Sequence, residues 1–203
     1  MAEIKAIVFD LGGVLIDWNP RYVYRQIFGS EQEVEWFLNN ITTNDWNENQ
    51  DAGYPLHKGT KELIAKHPEW TEPIKAYYGR WLEMLGDAFS DTLKILKQLK
   101  DSERYKLYVL TNWSAELFPH ARQKFEFLNW FDGIVVSGEE KIRKPFAEIY
   151  QLLLQRYLLQ PESTIFIDDS LRNVKAAEQL GIKAILFTSA NKLQEDLRRL
   201  QVI

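Results

Sequence analysis

An α/β fold is predicted for this chain: an open parallel sheet with helices on both faces, and a small all-helical domain inserted after the first strand. Three observations carry the prediction. Short, largely apolar runs fall at Ile7-Val8-Phe9, Lys106–Leu110, Asp132–Ser137 and Ser163–Ile167, the texture of strands covered on both faces. A helix-like stretch follows each run, and strands alternating with helices argue for a parallel sheet with right-handed crossovers. Between residues 17 and 86 no strand-like run is found, and several helical segments are joined by polar breaks. Residues 1–16 and 87–203 are therefore assigned to the core, and 17–86 to the insertion.

The elements follow in order. The first strand stops at Asp10, and Gly12-Gly13 then allow a sharp turn and close approach to a ligand. Within the insertion, Pro20–Phe28 reads as a helix, and Ser30-Glu-Gln-Glu33 is a capping box opening another through Leu38. The polar stretch Asn44–Gly53 is glycine-broken and reads as a specificity loop facing the pocket. Helices are expected over Pro55–Lys66 and Glu72–Leu85. In the core, Asp91–Lys100 has apolar residues at 93, 95, 96 and 99, a helical stripe. Pro145–Leu158 repeats that pattern with Ile149, Leu152, Leu153 and Tyr157. A helix over Asn173–Leu180 is stopped by Gly181, Ile182–Phe187 is a further buried strand, and Gln194–Leu200 is a closing polar helix.

Chemistry collects at the strand ends. A parallel sheet puts its ligand crevice beyond the carboxyl ends of its strands. There the sequence places Asp10, Thr111-Asn112, Lys144 after a charged loop, and Asp168-Asp169. A nucleophilic carboxylate, a hydroxyl beside an amide, a lysine and a carboxylate pair facing one pocket suit a phosphate and a metal ion. Each segment also has a plain structural reading. Asp10 could merely begin a turn, and Thr111-Asn112 could form a helix N-cap or Asx-turn. Lys144-Pro145 could be a solvated lysine before a helix, and Asp168-Asp169-Ser170 could cap the next one. Two adjacent carboxylates at a strand end repel unless a cation or hydrogen bonds relieve them, so the last reading is the weakest.

In order and separation, these four segments resemble the four motifs of the haloacid dehalogenase (HAD) superfamily, over residues 4–17 and roughly 105–190. The resemblance implies a Rossmann-like core and a helical cap that closes over the site. It implies that Asp10 is the nucleophile, forming an aspartyl-phosphate that water hydrolyses. Thr111 and Asn112 would then donate hydrogen bonds to the transferring phosphoryl group, and Lys144 would neutralise charge between that group and Asp10. The implied cofactor is Mg²⁺, held by Asp10, Asp168, Asp169 and the backbone carbonyl of residue 12. Magnesium takes oxygen ligands, one or two carboxylates among them, and phosphoryl transfer rests on positioning and charge neutralisation. The expected function is hydrolysis of a small phosphorylated metabolite.

Position 12 departs from the pattern. Phosphatases of this superfamily usually carry a second aspartate there as general acid and base, and this chain has Gly12. A positioned general acid contributes about 10²–10⁴-fold. Either the substrate has a leaving group that needs little protonation, such as an acyl or anomeric phosphate, or another side chain supplies the proton. Asp17, Asp45, Asp51 and His57 are candidates by position, and Asp17 also fits a hinge or capping role. Gly12 equally allows a 2-haloacid dehalogenase, which needs no metal, or a non-catalytic binding protein. The Asp168-Asp169 pair favours the phosphatase over both. A phospho-receiver module fails on size and on the helical insertion.

Trp18 and Asn19 follow the nucleophile loop directly and, with Trp46 from the polar stretch, are expected to contact substrate. Arg21 and Arg25 could meet an anionic substrate group, but a solvated helix face is the favoured reading for them. The net charge of −4 comes with scattered positive residues and leaves no nucleic-acid footprint. The absence of cysteine excludes disulfides and thiol catalysis, and His57, His67 and His120 lack metal-ligand spacing. No apolar run reaches membrane-spanning length. A cytoplasmic protein, monomeric or a small homo-oligomer, is expected.

Overall fold

The computed structural model describes residues 3–203; residues 1 and 2, within the segment 1–16 assigned to the core, lie outside the described residues. Its strands are β1 (Ala6–Phe9), β2 (Ile16–Trp18), β3 (Leu85–Ala88), β4 (Lys106–Thr111), β5 (Gly133–Val136), β6 (Thr164–Asp168) and β7 (Lys183–Leu186). Five of them form one sheet in the order β5-β4-β1-β6-β7, and every neighbouring pair in it is parallel. Strand order reverses direction at β1, which is where such sheets open a crevice.

Between β2 and β3 lie α1 (Arg21–Ile27), α2 (Glu31–Asn40), α3 (Asn44–Asp51), α4 (Leu56–Lys66) and α5 (Thr71–Gly79). The core then adds α6 (Ser90–Asp101), α7 (Phe118–Lys124), α8 (Ser137–Glu140), α9 (Ala147–Arg156), α10 (Leu171–Gln179) and α11 (Ala190–Arg199). Alternate residues of β1 divide between the two faces, as the two-residue period of a strand requires. Ile7 and Phe9 join the cluster holding Ile95 and Leu96 of α6 and Leu193 and Leu197 of α11. Ala6 and Val8 join Ile149, Tyr150 and Leu153 of α9 and Ala177 of α10. The α/β class, with helices on both faces of a Rossmann-like sheet, is as the sequence predicts.

Aromatic rings join several of the inserted helices. Tyr24 of α1 lies 4.9 Å from Phe37 of α2 between ring centroids, and Trp70 closes on Phe37 at 5.6 Å. Capping sets two helix starts here: Ser30 Oγ accepts from the Glu33 amide at 3.3 Å, and Thr43 Oγ1 from the Trp46 amide at 3.2 Å. Among the described residues, no helix is long and apolar enough to cross a membrane.

Three expectations need correction. The segment 17–86 is not wholly helical: β2 and β3 pair antiparallel at its root, Ile16 opposite Ala88 and Trp18 opposite Leu85. Strands this short carry no readable alternation. Asn44–Gly53 is not a loop, because Asn44–Asp51 is the helix α3. Its stripe is polar, so an apolar period could not reveal it. Glu72–Leu85 is divided, α5 ending at Gly79 and a 3-10 turn following at Trp81–Met84.

Phe37 is fully buried between Tyr24, Phe28 and Trp70. Phe37→Ala should therefore cost about 3–5 kcal/mol in urea unfolding, and a loss under about 1 kcal/mol would mean that the inserted helices repack freely.

Candidate active site

The sheet register assembles the site. Phe9 pairs with Val109 on one side and Ile167 on the other, so Asp10 emerges level with Leu110 and Asp168. The Asp10 amide continues the ladder to the Ile167 carbonyl at 2.9 Å. Thr111 ends β4 one residue further on, and its buried Oγ1 has no hydrogen-bond partner among the described residues. Asp169 follows β6 directly and is exposed.

Lys144 stands at the centre. Its ammonium lies 2.9 Å from Asp10 Oδ2, 2.7 Å from Asp168 Oδ2 and donates to the Leu110 carbonyl at 2.9 Å. An ammonium has three protons to donate, and all three have a partner. The group is 0% exposed, as is Asp168, while Asp10 is 8% exposed. Burial works against the Lys144 charge, but Asp10 and Asp168 outweigh it and hold the ammonium above its usual range.

Hydrogen bonds fix the carboxylates. Asp10 Oδ1 accepts from the Leu11 amide at 2.7 Å. Asp168 Oδ1 accepts from the Ser170 amide at 2.8 Å and from the Asn173 amide group at 3.0 Å. The carboxylate oxygens of Asp10, Asp168 and Asp169 include one from each residue lying within 4.8 Å of the others. Burial pushes Asp10 up to about 7 against the pull of Lys144, with Asp168 and Asp169 adding to the rise. Burial also raises Asp169, and Asp168 beside it adds to that. Three carboxylates against one ammonium thus leave excess negative charge that a cation would relieve. The donors are all hard oxygens, and this set fits Mg²⁺.

Gly13 is held at φ +74°, and a Cβ there would fall 2.3 Å from Asp169 Oδ2. Glycine is thus required twice over, for the turn and for the space. Gly12 differs, because a Cβ there meets nothing within 4 Å.

Asn112 is turned to Lys144: its Oδ1 accepts from the Lys144 amide at 2.8 Å, and its Nδ2 donates to the Lys144 carbonyl at 3.0 Å. Its side chain therefore fixes the loop that presents the lysine. A cavity of about 680 Å³ opens above these groups and reaches Asp10, Gly12, Trp18, Asn19, Asp51 and Asp169 among its lining residues. A smaller recess of about 80 Å³ runs from Gly12 and Asn112 to Asp51, Trp81 and Trp113. Trp18 lines both, and Asn19 lines the larger. Trp46 is not brought there. Its ring packs on Tyr77 at 5.1 Å, and it lines a separate cavity with Gln50 and Tyr54. Arg21 and Arg25 pair with Glu35 and Glu31.

Sequence reasoning missed the charge link across the cavity. Glu48 of α3 meets Arg143 at 2.7 Å and also pairs with Arg172 of α10. The residues at 44, 47, 48 and 51 all line the larger cavity. That i, i+3, i+4, i+7 spacing was the available signal.

Comparison with known proteins agrees with this geometry. The family model for haloacid dehalogenase-like hydrolases matches residues 4–181, and the chain belongs to that family of hydrolases. Among its relatives are the sesquiterpene phosphatase astK of Aspergillus oryzae, 29% identical with 97% of this chain and 96% of the relative covered. A phosphorylated carbohydrates phosphatase of Thermotoga maritima is 27% identical, covering 90% of this chain and 84% of that one. The fold is shared with a HAD family enzyme of Bacteroides thetaiotaomicron in its magnesium complex, at TM-score 0.73 and 23% identity, covering 98% of this chain and 100% of that one. A crystallised dehalogenase shares it too, at TM-score 0.72 and 20% identity, covering 97% and 98% of the two chains.

Replacing Lys144 with alanine strands Asp10 and Asp168 without their buried counter-charge. Such a loss costs about 3–5 kcal/mol, measurable by urea unfolding without metal. Adding Asp168→Asn to the variant should return part of it. A single variant as stable as the wild type would show that the carboxylates find other relief.

Proposed function

We propose that the chain is a Mg²⁺-dependent phosphatase that hydrolyses a small phosphorylated metabolite through an aspartyl-phosphate on Asp10. The observation that carries this reading is the grouping of Asp10, Asp168 and Asp169 within 4.8 Å, with Lys144 touching two of them. Relatives named as phosphatases support it.

Asp10, Asp168, Asp169 and the residue 12 carbonyl would hold the metal, which supplies positive charge for the phosphoryl oxygens. The chain's own groups do the rest. Oδ2 of Asp10, oriented by the Leu11 amide on Oδ1, attacks phosphorus. The Lys144 ammonium, rigid on three acceptors, offsets charge as the new O–P bond forms. The free hydroxyl of Thr111 and the backbone beside it offer donors to the transferring group. Water then attacks phosphorus and returns Asp10 as a carboxylate.

Residues 17–86 act as the cap in this reading, with the β2–β3 ribbon as its root, and Trp18 and Asn19 face the substrate. The cytoplasmic setting expected from the sequence is kept. A 2-haloacid dehalogenase is the second reading, consistent with Gly12 and the shared fold. It leaves the Asp168-Asp169 pair without a purpose, since a halide leaving group gains nothing from it.

Hydrolysis of p-nitrophenyl phosphate should require Mg²⁺ and stop with a chelator. Asp10→Asn should lower it by about 10³-fold or more. Mg²⁺ at about a hundredfold its Kd should add about 2.7 kcal/mol of stability, and Asp169→Asn should reduce that gain. Metal-independent halide release from 2-chloropropionate would replace this reading with the second.

A further inference from the structure

We infer that Asp51, delivered from α3 across the cavity, is the general acid and base of this chain and takes over the proton transfers that Gly12 cannot perform. The inference rests on the phosphatase reading and adds a catalytic residue to it.

Asp51 ends α3 and lines both spaces above the nucleophile. It shares the larger cavity with Asp10 and Gly12, and the smaller recess with Gly12, Asn112, Trp81 and Trp113. The recess is walled by two indoles, Trp81 and Trp113, crossed at 5.5 Å, and the buried Trp113 Nε1 has no partner among the described residues. A leaving group entering there would lie between the two indoles and beside Asp51.

The other candidates are placed elsewhere. Asp17 accepts from the Tyr22 hydroxyl at 2.5 Å and lies against Gly86 at the ribbon. Asp45 is exposed at the cavity rim. His57 is exposed on α4 and lines neither space.

Asp51 is held by contacts on every side. Tyr78 donates to Asn47 Oδ1 at 2.9 Å, which turns Asn47 Nδ2 to donate to Asp51 Oδ2 at 2.8 Å. The Asp51 carbonyl accepts from Ser137 Oγ at 2.5 Å, tying the end of α3 to the core. Next to it, a Cβ at Gly53 would come within 2.9 Å of the Gly138 carbonyl. This anchoring restricts where a side chain from the insertion can sit, as a group that transfers protons requires.

Burial pushes the Asp51 carboxyl up to about 7, with the Ser114 amide, Arg143 and Asn47 pulling it down. Tyr77 and Tyr78 also face it from α5, and their own values are raised, so both are neutral at pH 7. Arg143 is already paired with Glu48. An acid poised near neutrality can give a proton and take one back.

The proton balance closes. As the Asp10 oxygen bonds to phosphorus, the bond from phosphorus to the leaving oxygen breaks, and that oxygen takes the Asp51 proton. In the second half, the Asp51 carboxylate takes a proton from water as its oxygen bonds to phosphorus. The Asp10–phosphorus ester breaks, phosphate leaves, and Asp51 is protonated again.

The test is kcat/KM with Mg²⁺ across p-nitrophenyl, phenyl and ethyl phosphates, for the wild type and Asp51→Asn, with folding checked by circular dichroism. The wild type should depend weakly on leaving-group pKa. Asp51→Asn should lose about 10²- to 10⁴-fold on ethyl phosphate and far less on p-nitrophenyl phosphate. The wild-type fall in kcat/KM as pH rises through about 7 should vanish in the variant. Gly12→Asp, for which there is open space, should restore ethyl phosphate turnover in the Asp51→Asn background. Equal effects on all three substrates, or none, overturn the assignment. If Asp51→Asn does not fold, a steep leaving-group dependence of the wild type overturns it and a shallow one upholds it. A wild type that releases no phosphate from any substrate removes the phosphatase reading itself, a result distinct from either.

Discussion

The structure depends on one buried ammonium. Lys144 stands between Asp10 and Asp168 with no exposed surface, and it lets two carboxylates end adjacent parallel strands. Without it, β1 and β6 would each carry a charge into the low-dielectric edge of the sheet, at a cost of several kcal/mol per ion. The lysine comes from neither strand. It sits on the loop after α8, and Asn112 at the end of β4 grips that loop by both its amide and its carbonyl. Three segments far apart in sequence are thereby set to a common geometry. Such over-determined positioning would give the proposed phosphoryl transfer its preorganised charge.

A second consequence is electrostatic. One lysine does not balance Asp10, Asp168 and Asp169, and the imbalance is built into the fold because the sheet register fixes all three. The excess faces the cavity, on the side where Asp169 is exposed. The inserted helices respond with Glu48, whose partners Arg143 and Arg172 flank the site. Glu48 thereby bridges the insertion to the core through two cations. Exposed ion pairs contribute little, but the Glu48–Arg143 pair is largely buried, and Glu48 and Arg172 both line the larger cavity.

The core was legible because its strands are apolar and end abruptly in polar groups, a contrast that a single sequence displays. Asp10, Asp168 and Lys144 could be named for that reason, and the parallel register then brought them together. The insertion was less legible. Helix α3 lines the cavity with residues 44, 47, 48 and 51, all polar, so the stripe that marks most helices by burial was missing. Trp46, an aromatic in that stretch, suggested substrate contact, yet it turns to Tyr77 on the opposite side. The β2–β3 ribbon escaped because each strand is too short for its period to register. In each miss the deciding contact was tertiary.

Gly12 is best understood together with α3. Position 12 has room for a side chain, so glycine is not imposed by packing there, in contrast to Gly13. An acid carried on the nucleophile loop would be present whether or not the insertion is seated. An acid carried at Asp51 is in place only when α3 is docked through Ser137 and Glu48. A proton donor placed on the insertion would therefore couple leaving-group departure to closure of these helices over the site, and such closure would also exclude water. Substrates that prevent α3 from seating would lose the acid along with their enclosure. Selection among leaving groups would then act on the chemical step as well as on binding.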